Sequence, residues 1–99
     1  MDLYERRFNI DSFIEKCKEK DWIDIVIFAE KEYNNSMNEL KNVDPYVNEM
    51  RIRYNRFVHE FLFYIRNGMK PLGSSDEEFR KMQIVADKLI EKGQWTKSE

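Results

Sequence analysis

The residues with the clearest chemical potential lie in one segment, residues 53–68, which contains the only histidine in the chain. His59 follows Arg53 and Arg56 and precedes Arg66. Histidine transfers protons near neutral pH, and arginine holds phosphates or carboxylates through paired hydrogen bonds. These residue types point to three kinds of site: a catalytic centre, a nucleic-acid-binding surface or a protein interface.

Other common chemistries lack their residue patterns in this chain. The single histidine and the single cysteine, Cys17, lie far apart, without the paired spacing that metal sites use. The three glycines are isolated and form no phosphate-binding loop. The acidic run 76–78 is explained by the favourable position of carboxylates in the first turn of a helix. We therefore predict no metal site, no cofactor and no catalytic residue.

Arg53 and His59 support an alternative prediction, because their spacing resembles the arginine–histidine motif of HEPN-type ribonucleases, a family of small, helical and often dimeric proteins. The resemblance implies that His59 transfers a proton while Arg53 stabilises a phosphate. Tyr54 stands where that family usually has a polar residue. On a helix, Arg53 and His59 are about 120° apart, so helical geometry instead groups His59 with Arg56 and Arg66.

Composition bounds the architecture and the partners. The chain has 99 residues, 41% of them hydrophobic and 36% charged, which predicts one folded domain spanning 1–99. The net charge of −2 does not favour nucleic acid, although residues 46–70 carry five basic against two acidic side chains. No apolar run approaches the roughly 20 residues that span a bilayer. A single cysteine is typical of a reducing compartment, so we expect a cytoplasmic protein without a membrane partner.

Helical spacing and capping residues predict an all-α fold, a small antiparallel bundle of four helices. Ser12 with Glu15 and Ser75 with Glu78 have the spacing of capping boxes, in which each pair satisfies backbone N–H groups at a helix start. The predicted helices span residues 12–19, 22–41, 45–67 and 76–92.

The segments outside the predicted helices raise three further expectations. Residues 1–10 form an arm or an additional turn, residues 96–99 form a frayed tail, and Trp95 can fold back onto the bundle. The loop 68–73 is a second candidate site, but we favour its interpretation as a rigid connector between helices. In the second helix, Ile23 and Ile27 fall off the apolar stripe, so we expect more than one neighbour to cover that end.

The third helix divides into a core side and an outer side when each residue advances by about 100°. The core side is rich in aromatic residues and comprises Val47, Met50, Tyr54, Phe57, Val58, Phe61, Tyr64 and Ile65. The outer side combines apolar, amide and basic groups in Ile52, Asn55, Arg56, His59, Phe63 and Arg66.

The outer side has the composition of a protein interface, where aromatic residues and arginine are enriched. We therefore predict a non-enzymatic interaction or regulatory module whose partner is another protein or a second copy of the chain. A homodimer would use this outer side of the third helix. The alternative is an HEPN-like ribonuclease or RNA-binding protein that uses the arginines and His59; nucleic acid is the less favoured partner because the rest of the chain is acidic.

Overall fold

A computed structural model of the protein describes residues 7–39 and 44–96, and within these residues every regular element is a helix. The predicted all-α class is therefore confirmed. None of the described helices is long and apolar enough to cross a bilayer. The four helices are α1 (Ile10–Lys18), α2 (Trp22–Asn38), α3 (Pro45–Asn67) and α4 (Asp76–Glu91).

The ends of α3 and α4 follow their capping residues. The Asp44 side chain accepts a hydrogen bond from the Tyr46 N–H at 2.7 Å, and proline occupies the first turn, where its missing donor costs nothing. Gly68 ends α3 with a φ of 70°, a left-handed conformation that a side chain would disfavour. Ser75 and Glu78 form the predicted capping box at the start of α4.

The bounds of α1 and α2 differ from the predicted ones. Asn9, rather than Ser12, caps α1: its side chain accepts a hydrogen bond from the Ser12 N–H at 2.9 Å, so the helix starts at Ile10. Helix α2 ends at Asn38, with Glu39 as its C-cap, and is therefore shorter than the predicted helix, which extends to residue 41. Residues 40–43 lie outside the described part of the chain.

Helix α3 forms the centre of the hydrophobic core. Of its predicted core residues, all are buried except Met50, which packs against the core while partly exposed. Phe13 of α1 packs edge-on against Phe61 and Phe57, with ring centroids 5.3 Å and 6.2 Å away, and stacks on Phe28 of α2 at 5.4 Å. These aromatic contacts stabilise the joint between α1, α2 and α3 beyond the burial of apolar area.

The chain after α4 returns to the end of α3, as the sequence suggested for Trp95. Trp95 is buried, and its indole N–H donates to the Ile65 carbonyl at 2.7 Å. Trp22 donates its indole N–H to the same carbonyl at 3.3 Å. This carbonyl lies in the last turn of α3, where the helix itself supplies no donor. The Gln94 side chain also accepts the Trp22 backbone N–H at 3.0 Å, so the return segment fixes the start of α2.

Residues 7–9 pack on the bundle. Phe8 is buried, with its ring 5.9 Å from Tyr54. Arg7 forms ion pairs with Glu32 and Glu39 of the α2 segment. The remainder of the predicted arm, residues 1–6, and the tail residues 97–99 lie outside the described part of the chain.

Candidate interaction face

Helix α2 packs antiparallel to α3, beside the predicted outer side. The ring of Tyr33 lies 5.6 Å from that of His59, and Glu30 forms an ion pair with Arg66. The later residue of α3, Arg66, contacts the earlier residue of α2, Glu30. The two helices therefore run in opposite directions. Helix α2 therefore borders the outer side of α3 and leaves most of it open.

Asn55 is the one member of the predicted site that α2 covers. It is 4% exposed, and its carbonyl oxygen accepts a hydrogen bond from the Ser36 hydroxyl. The same hydroxyl lies 2.8 Å from the Glu32 carbonyl oxygen. Asn55 therefore joins α2 to α3 inside the protein, whereas the other residues of the predicted face are exposed.

The other five predicted residues remain exposed and form a regular row, which we call the α3 strip. Ile52 is 54% exposed and Phe63 42%, high values for large apolar side chains. The members follow one another at steps of four, three, four and three residues, the repeat that keeps one seam facing a partner helix. The α3 strip consists of Ile52, Arg56, His59, Phe63 and Arg66.

A second exposed row, the α2 strip, runs beside the first. Ile23 is 63% exposed and Ile27 47%, so the expected cover over this end of α2 is absent among the described residues. Helical spacing in the sequence places Met37 in the core stripe of α2, whereas the structure exposes it. The α2 strip has the same alternating steps of four and three and consists of Ile23, Ile27, Glu30, Asn34 and Met37.

Two clefts open on either side of His59. The first, about 360 Å³, lies between the helices and is lined by residues of both strips, including Met37 and Ile52. The second, about 380 Å³, lies between α3 and the loop 68–73. Phe63 lines this second cleft together with Leu72, whose side chain is fully exposed. His59 thus sits on a ridge within a mixed apolar and polar surface.

The loop 68–73 is held in place by Glu60 of α3. The Ser74 hydroxyl donates to the Glu60 carboxylate at 2.9 Å. A Cβ atom on Gly73 would lie 2.6 Å from the other carboxylate oxygen, so only glycine allows this close approach without displacing Glu60. The loop is therefore an ordered connector that also adds Met69 and Leu72 to the exposed apolar surface.

The positive charge of α3 is compensated locally. Arg56 lies 3.9 Å from Glu78, and Arg66 contacts Glu30. Arg51 donates to the Met37 carbonyl at 3.2 Å, near the negative end of α2. The face therefore presents paired charges between apolar groups, a weaker electrostatic target for nucleic acid than the count of basic residues suggests.

Arg53 and His59 do not meet within the protein. Arg53 forms an ion pair with Glu49 at 3.5 Å and lines a separate cleft with Phe8 and Met50, whereas His59 lines the two clefts on the outer side of α3. The arrangement that the resemblance to HEPN-type ribonucleases implies is thus not assembled within one copy of the chain.

The buried titratable groups lie away from this face. Burial raises the pKa of the Cys17 thiol to about 12, and this side chain is fully covered. Burial, together with a hydrogen bond to Glu32 at 2.7 Å, raises the pKa of the Tyr54 hydroxyl. Within residues 7–39 and 44–96, no group of three or more histidine, cysteine or acidic side chains is arranged to hold a metal ion.

The chain matches no protein-family model, and no curated protein and no solved structure is significantly similar to it. Function is therefore inferred from the geometry of the exposed face.

Proposed function

We propose that the protein is a non-enzymatic helical interaction module whose partner protein binds across the α2 strip and the α3 strip. The observation that carries this proposal is the pair of adjacent exposed rows, each with the repeat of a helix-packing seam. A partner that covers the large apolar side chains of these rows removes them from water, which is favourable.

The composition of the face fits a partner that is itself helical. Isoleucine and methionine dominate the α2 strip, while arginine, histidine and phenylalanine alternate along the α3 strip. Aromatic residues, methionine and arginine are the residue types enriched in protein interfaces. A helix that lies between the two strips would contact both rows at once, with the cleft between α2 and α3 receiving its side chains.

We also place this module in the cytoplasm. The chain has one cysteine, Cys17, and it is buried as a free thiol. Such a thiol is compatible with a reducing compartment and is of no use in an intramolecular disulfide framework.

Site-specific photo-crosslinking tests the proposal even when the partner has not been identified. A benzophenone amino acid replaces Ile27 or Phe63 on the face, and Ile84 on α4 serves as the control because it is a similarly exposed apolar residue elsewhere. We expect irradiated cells to give discrete protein adducts from the two face positions and few from Ile84.

Three outcomes would count against the proposed function. Equal labelling at all three positions would indicate non-specific contact, and no adduct at the face would indicate an unoccupied surface. Adducts that are sensitive to ribonuclease would favour the RNA-binding alternative.

A further inference from the structure

We infer that the face binds a second copy of the chain, with the two α3 helices antiparallel about a two-fold axis between the levels of Arg56 and His59. This inference rests on the proposed function and specifies its partner. It follows from the order of residues along the α3 strip. When two copies of the strip run in opposite directions, one register brings complementary side chains together.

The repeat of the α3 strip extends by one further step toward the start of the helix. Glu49 precedes Ile52 by three residues and is exposed. The alternating steps of three and four residues define two kinds of position along the strip. In an antiparallel pair of helices, each position of one kind packs against a position of the other kind on the partner helix. Only a few registers are therefore available, and the side chains that each register brings together can be compared directly.

The inferred register pairs apolar with apolar residues. Ile52 of each copy meets Phe63 of the other, so the two exposed apolar side chains of the strip cover each other. Arg56 of each copy meets His59 of the other in the two central layers. A planar guanidinium can stack on the imidazole ring, and no arginine faces an arginine.

The same register brings opposite charges together at the edges. Arg66 of each copy meets Glu49 of the other in the outermost layers. Arg53 and Glu60 occupy the flanking positions of the repeat, and antiparallel packing places Arg53 of one copy beside Glu60 of the other. Two-fold symmetry doubles each contact, which gives four ion pairs between the copies.

The neighbouring register is electrostatically unfavourable. An axis shifted to lie between His59 and Phe63 would bring Arg56 against Arg66 of the other copy. It would also bring the two Glu60 side chains together near the axis. Like charges placed opposite each other disfavour association, so the charge pattern favours the inferred register over this one.

The ion pairs present within one copy do not prevent this exchange. Arg53 and Glu49 are both largely exposed and lie 3.5 Å apart, and Arg66 and Glu30 are about half exposed. Exposed pairs of this kind contribute little to stability. Arg53, Glu49 and Arg66 are therefore available for contacts that an interface would shield from water.

Solution mass and disulfide cross-linking test the inference. Cys17 is fully buried, so introduced cysteines act without interference from the native thiol. We expect the full chain to change from monomer to dimer as its concentration rises. Under mild oxidation, a mixture of I52C and F63C proteins should form covalent dimers at least about fivefold faster than either protein alone.

Two results of these experiments would overturn the inference. A constant monomer mass would do so, and fast self-linking of H59C would place the axis at His59 instead. If photo-crosslinks at Ile27 and Phe63 form with a different protein while the chain remains monomeric, the proposed function stands and the second copy is excluded.

Two charge variants separate electrostatic complementarity from simple burial. R53E should weaken the dimer about tenfold, because two attractive pairs become repulsive and roughly 1.4 kcal/mol corresponds to a factor of ten. The double variant R53E/E60Q removes the facing carboxylates while the amide oxygen of residue 60 still accepts from the Ser74 hydroxyl, and it should recover part of the lost affinity. Failure of the second change to rescue the first would contradict the inferred register.

Discussion

At the scale of single residues, the contact between Ser36 and Asn55 is the buried polar link between α2 and α3. Both side chains are almost fully buried, and Asn55 accepts from the Ser36 hydroxyl. A buried polar group that loses its partner is not compensated by water, which makes such a contact specific for one alignment of the two helices. The pair therefore helps to determine which residues of α2 and α3 remain outside.

Replacement of Asn55 by alanine should lower the free energy of unfolding by about 1 kcal/mol, because one buried hydrogen bond is lost while the Ser36 hydroxyl keeps the Glu32 carbonyl as an acceptor. The double variant with Ser36→Ala should cost less than the sum of the single variants, since both changes remove the same hydrogen bond. Urea unfolding followed by circular dichroism measures both effects. The exposed Asn35→Ala is the matched control, and strict additivity of the pair would contradict the link.

The sequence predicts most of α3 at this scale but not Asn55. Tyr54, Phe57 and Phe61 lie near the centre of an apolar arc, so their burial follows from helical geometry alone. Asn55 lies about 140° from Met50, at the border of the outer side. Its burial depends on the side of α3 that α2 occupies, and no periodicity within α3 contains that information.

At the scale of elements, the start of α1 shows how a neighbouring contact selects between two capping residues. Asn9 and Ser12 are both good N-caps by type. Phe8 is buried against the bundle, which fixes the chain immediately before Asn9 and places its side chain beside the Ser12 N–H. The capping box at Ser75 could be predicted from the sequence, because Ser75 and Glu78 have the spacing that the motif requires.

Alanine substitutions at the two candidate caps should have different costs. Asn9→Ala should destabilise the protein by about 1 kcal/mol, because the Ser12 N–H loses its acceptor. Ser12→Ala should change stability by less than about 0.5 kcal/mol, as expected for an exposed position. Thermal unfolding of the two variants side by side provides the measurement. The opposite order of costs would return the helix start to Ser12.

At the scale of the whole molecule, the stability of the fold depends on pH in the alkaline range, because groups buried in the core keep their protons to a higher pH than exposed groups do. Burial raises the pKa of Cys17 from 9.0 to about 12 and that of Tyr64 from 10.0 to about 12. Well below pH 9, folded and unfolded chains both keep these protons. At higher pH the unfolded chain loses these protons before the folded chain does. The unfolded state is then stabilised relative to the folded state.

We therefore expect the free energy of unfolding to fall as the pH rises from about 9 toward 12. Tyr64→Phe should make this fall less steep, because it removes one group whose pKa is raised. The Tyr64 hydroxyl has no hydrogen-bond partner among the described residues, so the variant should match the original protein near pH 7. Denaturant unfolding at a series of pH values tests this, and identical pH slopes for the two proteins would contradict it.

The number and type of helices could be predicted, whereas the arrangement of the candidate face required the structure. Helical spacing places Ile23 and Ile27 off the apolar stripe of α2, yet only the packed bundle shows that they remain exposed. Placement of α2 against α3 depends on contacts between residues distant in sequence, such as Tyr33 with His59. The 3.5-residue repeat of both strips was the signal in the sequence that could have indicated a second helix-packing seam.

The carbonyl of Ile65, which accepts both indole N–H groups, has an optical consequence. Trp22 and Trp95 are the only tryptophans in the chain, so nearly all of its intrinsic fluorescence comes from one junction at the end of α3. The emission spectrum of the protein therefore reports whether the return of the chain onto α3 is intact. Both tryptophans lie at the contact where the beginning of α2 and the segment after α4 meet.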